Sequence, residues 1–144
     1  MTGTETEARP RDVTGDTLAV VQAAYRAFAS RDIESLLALL APDVEWGEPD
    51  NPAIPSSGTR HGIDGVREWL RIGNDTEEIV ALEPRRFIAQ DDAVAVIGRT
   101  TVRARPPGRT YGTDFVHLIV VQDGRIRRFQ EFFDTAAAAE AFRP

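Results

Sequence analysis

The chain has 144 residues, 42% of them hydrophobic and 28% charged, a make-up that suits one folded domain with its own core. Its 23 acidic and 17 basic residues leave a net charge of −6, which argues against the basic footprint of a nucleic-acid binder. The lack of cysteine excludes a disulfide framework, thiolate chemistry and a cysteine-based zinc site.

Residues 1 to 14 are polar and charged and carry Pro10. They read as a flexible leader ahead of one domain spanning 15–144. They lack the apolar stretch of a signal peptide, and no later run approaches the ~20 residues of a membrane span. A cytoplasmic protein that engages no membrane is expected. From Asp16, the residues Leu18, Val21, Tyr25 and Phe28 recur at helical spacing as one apolar stripe. Tyr25 suits either the core or a pocket wall. Asp32 is a good N-cap for a second helix, whose buried face is Ile33, Leu36, Leu37 and Leu40 and which Ala41-Pro42 ends.

Residues 44–48 then read as a short strand with Val44, Trp46 and Glu48 on one side. Pro49, Pro52 and Pro55 predict a loop to about Arg60. A third helix is expected over 63–72, with Val66, Trp69 and Leu70 inward and Asn74-Asp75 as its breaker. The pattern next switches to period two. Strands are expected over 79–89, 93–104, 110–122 and 125–133, with Pro84 marking an edge or a bulge in the first. Asp91-Asp92, Pro106-Pro107-Gly108 and Asp123-Gly124 supply the turns. An alanine-rich helix over 135–142 closes the chain. Helices followed by a run of antiparallel strands make an α+β pattern.

Alternation along the last strand puts Phe129, Glu131 and Phe133 on one side, so one carboxyl lies between two phenyl rings. An unpaired carboxylate there is costly, so Glu131 is paired or has a raised pKa, as general acid–base chemistry uses. The alternative is a solvated or arginine-bonded residue at the sheet rim. By the same alternation Asp114 shares a face with Val116, and His117 points to the opposite side, towards a subunit interface. His61 precedes a helix start and reads as a structural residue. The two histidines lack metal-motif spacing, so no metal site is expected. Phe115, Ile119, Val121 and Phe132 supply apolar surface on a sheet face that the helices do not cover, which predicts a twofold homodimer.

The order helix, helix, Trp46-Gly47-Glu48-Pro49, then Arg60-His61-Gly62-Ile63-Asp64-Gly65-Val66, then a meander ending in Asp-Gly and Glu131-Phe132-Phe133-Asp134, resembles the nuclear transport factor 2-like superfamily. Within it the chain is most similar to SnoaL-like polyketide cyclases, ketosteroid isomerases and limonene-1,2-epoxide hydrolases, over about residues 16 to 142. The resemblance implies a cone-shaped curved antiparallel, partly mixed sheet wrapped around three N-terminal helices, with a deep apolar pocket. It also implies a dimer and no cofactor. Glu131 matches the aspartate with which such epoxide hydrolases activate water, and Trp46 and Glu48 match two residues that help to hold that water. Glu48-Pro49 also matches the general-base aspartate and following proline of ketosteroid isomerase. Arg99 is the nearest match to the arginine of the epoxide hydrolases' arginine–acid pair, whose acid is missing here. The isomerase's oxyanion-hole tyrosine falls at Ala24, beside Tyr25, and its aspartate at Val116, near Asp114.

The resulting expectation is an acid–base enzyme acting on a hydrophobic small molecule of polyketide, terpenoid or steroid type. Cyclisation, isomerisation and epoxide opening are its candidate reactions. Glu131, Glu48 and Arg99 are the catalytic candidates, and Trp46, Tyr25, Trp69, Asp114, Phe129 and Phe133 the substrate-binding ones. A non-catalytic binding module that uses the same pocket is the alternative.

Overall fold

The computed structural model describes residues 12–144. Most of the expected leader therefore lies outside the described residues. At its end, the Asp12 carboxylate accepts from the Thr14 backbone N–H at 3.0 Å and from the Thr14 hydroxyl at 2.6 Å. Helix α1 (Thr14–Ala29) starts there, two residues before the periodicity suggested, and buries Thr17, Val21, Ala24 and Ala27. Leu18, Tyr25 and Phe28 flank that stripe and pack against the core.

Helix α2 (Ile33–Ala38) is capped by Asp32, which accepts from Ser35 N–H at 3.1 Å. It ends earlier than expected, and Leu40 opens strand β1 (Leu40–Glu48) instead of closing the helix. Pro42 has no N–H and drives Ala41 towards extended backbone. The sheet then takes the segment, with Ile126 N–H donating to Leu39 O at 2.8 Å. The proline-rich stretch ends sooner than expected too, because β2 (Gly58–His61) pairs antiparallel with β1. Helix α3 (Gly62–Thr76) runs through Asn74-Asp75. Asp75 pairs with Arg71 one turn back at 2.9 Å, and Arg71 also grips Glu68 at 2.6 Å, so this last turn carries its own i,i+4 support.

The meander follows the expected turns: β3 (Glu77–Gln90), β4 (Ala93–Ala104), β5 (Thr110–Gln122) and β6 (Arg125–Phe133), then α4 (Thr135–Phe142) capped by Asp134. Among the described residues, six strands form one curved mixed sheet in the order β2-β1-β6-β5-β4-β3, with β1 and β6 parallel and the other pairs antiparallel. Pro84 lies in the edge strand β3 at a register shift, so both tolerances for a strand proline are in use. The N-terminal helices pack on the inner face over a core centred on Val21, Leu40, Val44, Val66, Val94 and Val96.

One irregularity decides which residues share that face. The Asp123-Gly124 turn pairs Gln122 with Arg125 and Val121 with Ile126, but Val120 then pairs with Arg128. Arg127 is thus the extra residue of a β-bulge, and every side chain beyond it swaps face relative to β5. An unbulged hairpin would set Glu131 beside Val116 and Asp114. The actual register sets Glu131 opposite His117 and Phe129 opposite Ile119. Phe115, His117, Ile119 and Val121 therefore point inward and are buried, so the expected outward surface of Phe115, Ile119 and Val121 is corrected. Phe132 does face outward, 48% exposed, in company with Ile97, Val116 and Leu118. Among the described residues no helix is long and apolar enough to cross a membrane.

Candidate active site

Three strands bring three polar side chains to one row. Trp46 of β1 pairs with Phe129 of β6, which pairs with Ile119 of β5. This row is the apolar floor, with the Trp46 and Phe129 rings stacked at 4.1 Å. Two residues further along each strand stand Glu48, Glu131 and His117, above that floor and in the wall of a cavity of about 100 Å³. Tyr25 and Phe28 of α1, Trp69 of α3 and Phe133 of β6 complete an aromatic lining, and Glu77 and Tyr111 add polar groups.

His117 is 5% exposed. Its Nε2 and Oε2 of Glu131 are 2.8 Å apart, and its Nδ1 is hydrogen-bonded to the Tyr25 hydroxyl. With only Nε2 protonated, the ring donates to Glu131 and accepts from Tyr25. With both nitrogens protonated, Nδ1 donates to the phenolic oxygen and frees the Tyr25 O–H to donate elsewhere. The ring is clamped by stacked Phe115 at 4.1 Å and tilted Phe129 at 4.8 Å, with Tyr25 stacked at 5.9 Å. Burial, and next the negative charge of Glu131, push the Tyr25 phenol well above its ordinary range, so it stays a proton donor.

Glu48 is 9% exposed. Its carboxyl accepts from the Trp69 indole N–H at 2.7 Å and from the Ser56 hydroxyl at 3.0 and 3.3 Å. Ser56 reaches it from the loop between β1 and β2, and Arg60 ties that loop down by donating to Ser56 O at 2.8 Å. Burial and then the charge of Glu131 push the Glu48 carboxyl up to about 8, against the lowering effect of its two hydrogen bonds. Glu77 is pushed up to about 7 by burial and Glu131, with Arg105 opposing. The same burial, followed by the charges of Glu77, Glu131 and Glu48, raises the Tyr111 phenol.

Three carboxyls thus share one cavity whose described lining holds no arginine, in a chain without lysine. Among the described residues, His117 is the one lining residue that can carry positive charge. No group of three or more potential ligands among the described residues is placed to hold a metal ion.

Trp46, Glu48, Trp69, Tyr25, Phe129, Glu131 and Phe133 all line the cavity. Arg99 and Asp114 do not. They pair with each other at 3.1 Å on the outer face of the sheet, with side chains 44% and 82% exposed, where the bulge at Arg127 leaves them. The same bulge turns His117 inward, away from the interface side expected for it. Sequence reasoning missed His117, Ser56, Glu77 and Tyr111. Both faces of β5 are apolar, so only the bulge distinguishes them. Ser56 belongs to a loop without periodicity, and Glu77 lies just before the strand start that alternation suggested.

The chain matches the SnoaL-like domain over residues 21–129. An uncharacterized protein of Mycobacterium tuberculosis is 31% identical over 130 residues, covering 87% of this chain and 94% of that protein. Among solved structures, a nuclear transport factor 2-like protein of Burkholderia xenovorans superposes with a TM-score of 0.84 at 31% identity, covering 92% of this chain and all of that one. TerC, co-crystallized with polyporic acid, superposes with a TM-score of 0.77 at 34% identity, covering 88% of this chain and 98% of its own.

Proposed function

Because the chain belongs to the SnoaL-like domain family, with the nuclear transport factor 2-like fold and some enzyme members, we propose that it is an acid–base enzyme acting on a hydrophobic small molecule. The observation that carries this reading is the pair Glu48 and Glu131 in one aromatic cavity, held in unlike surroundings. Glu131 faces the imidazole of His117, and its charge is one of the causes that raise the Glu48 carboxyl. Glu48 is buried among hydrogen-bond donors beside that negative charge and keeps its proton to about pH 8. Two carboxyls in different protonation states at one pH supply a base and an acid.

The aromatic walls suit a flat, apolar ligand. Among the described residues, the acidic lining offers no arginine or lysine to pair with an anion, so the substrate class is a neutral hydrophobic molecule of polyketide, terpenoid or steroid type. Arg99 lies outside the cavity, so epoxide opening has no arginine to support its acid. Isomerisation and cyclisation remain, and both begin with removal of a proton from carbon next to a carbonyl. The chemistry proposed needs no cofactor, because the proton donors and acceptors are side chains of the cavity.

That TerC was co-crystallized with polyporic acid supports a small-molecule ligand for this chain, and equally supports a second reading in which it binds without catalysis. Deuterium uptake separates the two. With 1-tetralone as probe in D₂O, an enzyme speeds replacement of the hydrogens next to the carbonyl. Binding seen by titration calorimetry without any added exchange would replace the catalytic reading with the binding one.

A further inference from the structure

Resting on that acid–base reading, we propose that Tyr25, His117 and Glu131 form a proton relay in which Tyr25 protonates an oxygen of the substrate and His117 replaces the proton Tyr25 gives up. The three residues come from α1, β5 and β6, and their hydrogen bonds run unbroken from Tyr25 through both ring nitrogens to Glu131. His117 has neither nitrogen free for a ligand, so it reaches the substrate only through Tyr25 or Glu131. Both of those line the cavity. The stacking of Phe115 and Tyr25 on the imidazole fixes its plane, which keeps both hydrogen bonds aligned.

The relay starts with His117 protonated on both nitrogens and Glu131 ionised. Glu131 Oε1, which takes no hydrogen bond among the described residues, removes a proton from the carbon beside the substrate carbonyl. The C–H electron pair becomes the carbon–carbon double bond, and the carbonyl π pair goes to oxygen. That oxygen takes the Tyr25 phenolic proton, and the phenolic oxygen takes the proton from His117 Nδ1. The products are an enol, neutral Glu131, intact Tyr25 and neutral His117. For isomerisation Glu131 then returns its proton to a different carbon; for cyclisation the enol carbon attacks a second carbonyl, whose oxygen takes that proton. In both, the enol O–H electron pair re-forms the carbonyl and its proton goes back through Tyr25 to His117 Nδ1. In this relay Tyr25, not Glu48, is the donor to the substrate oxygen and His117 a positioning residue that recharges it; Glu48 is the acid that remains if the relay is overturned.

The charge on His117 answers to the groups around it: Glu131 on β6, Tyr25 on α1, and across the cavity Glu48 on β1, Glu77 on β3 and Tyr111 on β5. Strand β4 sets Val96 opposite it and adds no charge.

The test combines deuterium uptake by 1-tetralone with ¹⁵N NMR of His117 in the whole protein. In the wild type, the ring is expected to pass from doubly to singly protonated as pH rises, with Nε2 keeping its proton, and exchange is expected to fall with the doubly protonated form. Tyr25→Phe removes one oxygen and should slow exchange about 10²-fold, the usual cost of one such donor. It should also shift the Nδ1 resonance. His117→Gln should slow exchange at least tenfold and flatten the pH profile while ligand affinity stays within threefold. A folded Tyr25→Phe protein that exchanges within threefold of wild type overturns the relay while leaving the acid–base reading intact. So does an imidazole that stays singly protonated from pH 5 to 9. No exchange by the wild type sinks the acid–base reading and the relay together.

Discussion

Replacing Glu48 by Gln should convert a pH-dependent protein into one much less so. The wild-type carboxyl, buried against Trp69 and Ser56 and repelled by Glu131, keeps its proton to about pH 8, whereas in the unfolded chain it ionises near its ordinary value of 4.5. Between those limits the unfolded state binds fewer protons than the folded one, so stability falls as pH rises, by about 1.4 kcal/mol per pH unit. Over the whole interval the loss attributable to Glu48 is roughly 3–5 kcal/mol, a large share of the 5–15 kcal/mol typical of a domain. Glutamine has nearly the shape of the neutral acid and cannot ionise. At pH 5 the variant should match the wild type or fall below it by about 1 kcal/mol, from the altered hydrogen bonds. By pH 8 it should be the more stable protein by a few kcal/mol. Urea unfolding followed by tryptophan fluorescence at half-unit steps from pH 5 to 9 measures both curves. Glu77 contributes a slope of the same sign up to about pH 7 in both proteins, so the difference between the curves isolates Glu48. A difference that stays constant within about 0.5 kcal/mol across that range, or moves the other way, refutes the account of Glu48.

Gly98→Ala should be severe, because a Cβ there would sit 2.3 Å from Glu83 O and 2.5 Å from Phe115 Cζ. A loss of about 2–3 kcal/mol is expected from such overpacking, read as a lower Tm in calorimetry. Arg99→Ala should leave both ligand binding and deuterium exchange unchanged, since its ion pair lies on the outer face of the sheet, away from the cavity. That face, with Ile97, Val116, Leu118 and Phe132 exposed, is proposed as the contact of a homodimer. Sedimentation should give a mass near twice 15.9 kDa, and Phe132→Glu should halve it. A wild-type monomer at micromolar concentration would remove that proposal.

Much of the sheet was legible because its turns are chemically explicit. Asp91-Asp92, Pro106-Pro107-Gly108 and Asp123-Gly124 each end one strand and start the next. Alternation from Val44 likewise set Trp46 and Glu48 on the buried face. What alternation does not carry is the relation between two strands across a bulge. One extra residue at Arg127 exchanged the roles of Asp114 and His117, and no local pattern marks it, because Arg125, Arg127 and Arg128 are all polar. The parallel pairing of β1 with β6 was hidden for another reason. It joins segments about 80 residues apart and rests on Ala41-Pro42 being extended, which a helical reading of Leu36, Leu37 and Leu40 obscured. Ser56 and Glu77 entered the site through tertiary packing of a loop and a strand end, where neither periodicity nor propensity applies.

The most direct test of the central claim is the rate at which a folded Glu131→Gln protein promotes deuterium uptake by 1-tetralone, set beside the wild type and normalised to equal ligand occupancy. Glutamine preserves the size of the side chain and a hydrogen bond to His117 but cannot accept a proton from carbon. The account predicts a fall of 10²–10⁴-fold with ligand affinity changed less than threefold. A folded Glu131→Gln protein that exchanges at the wild-type rate would contradict it.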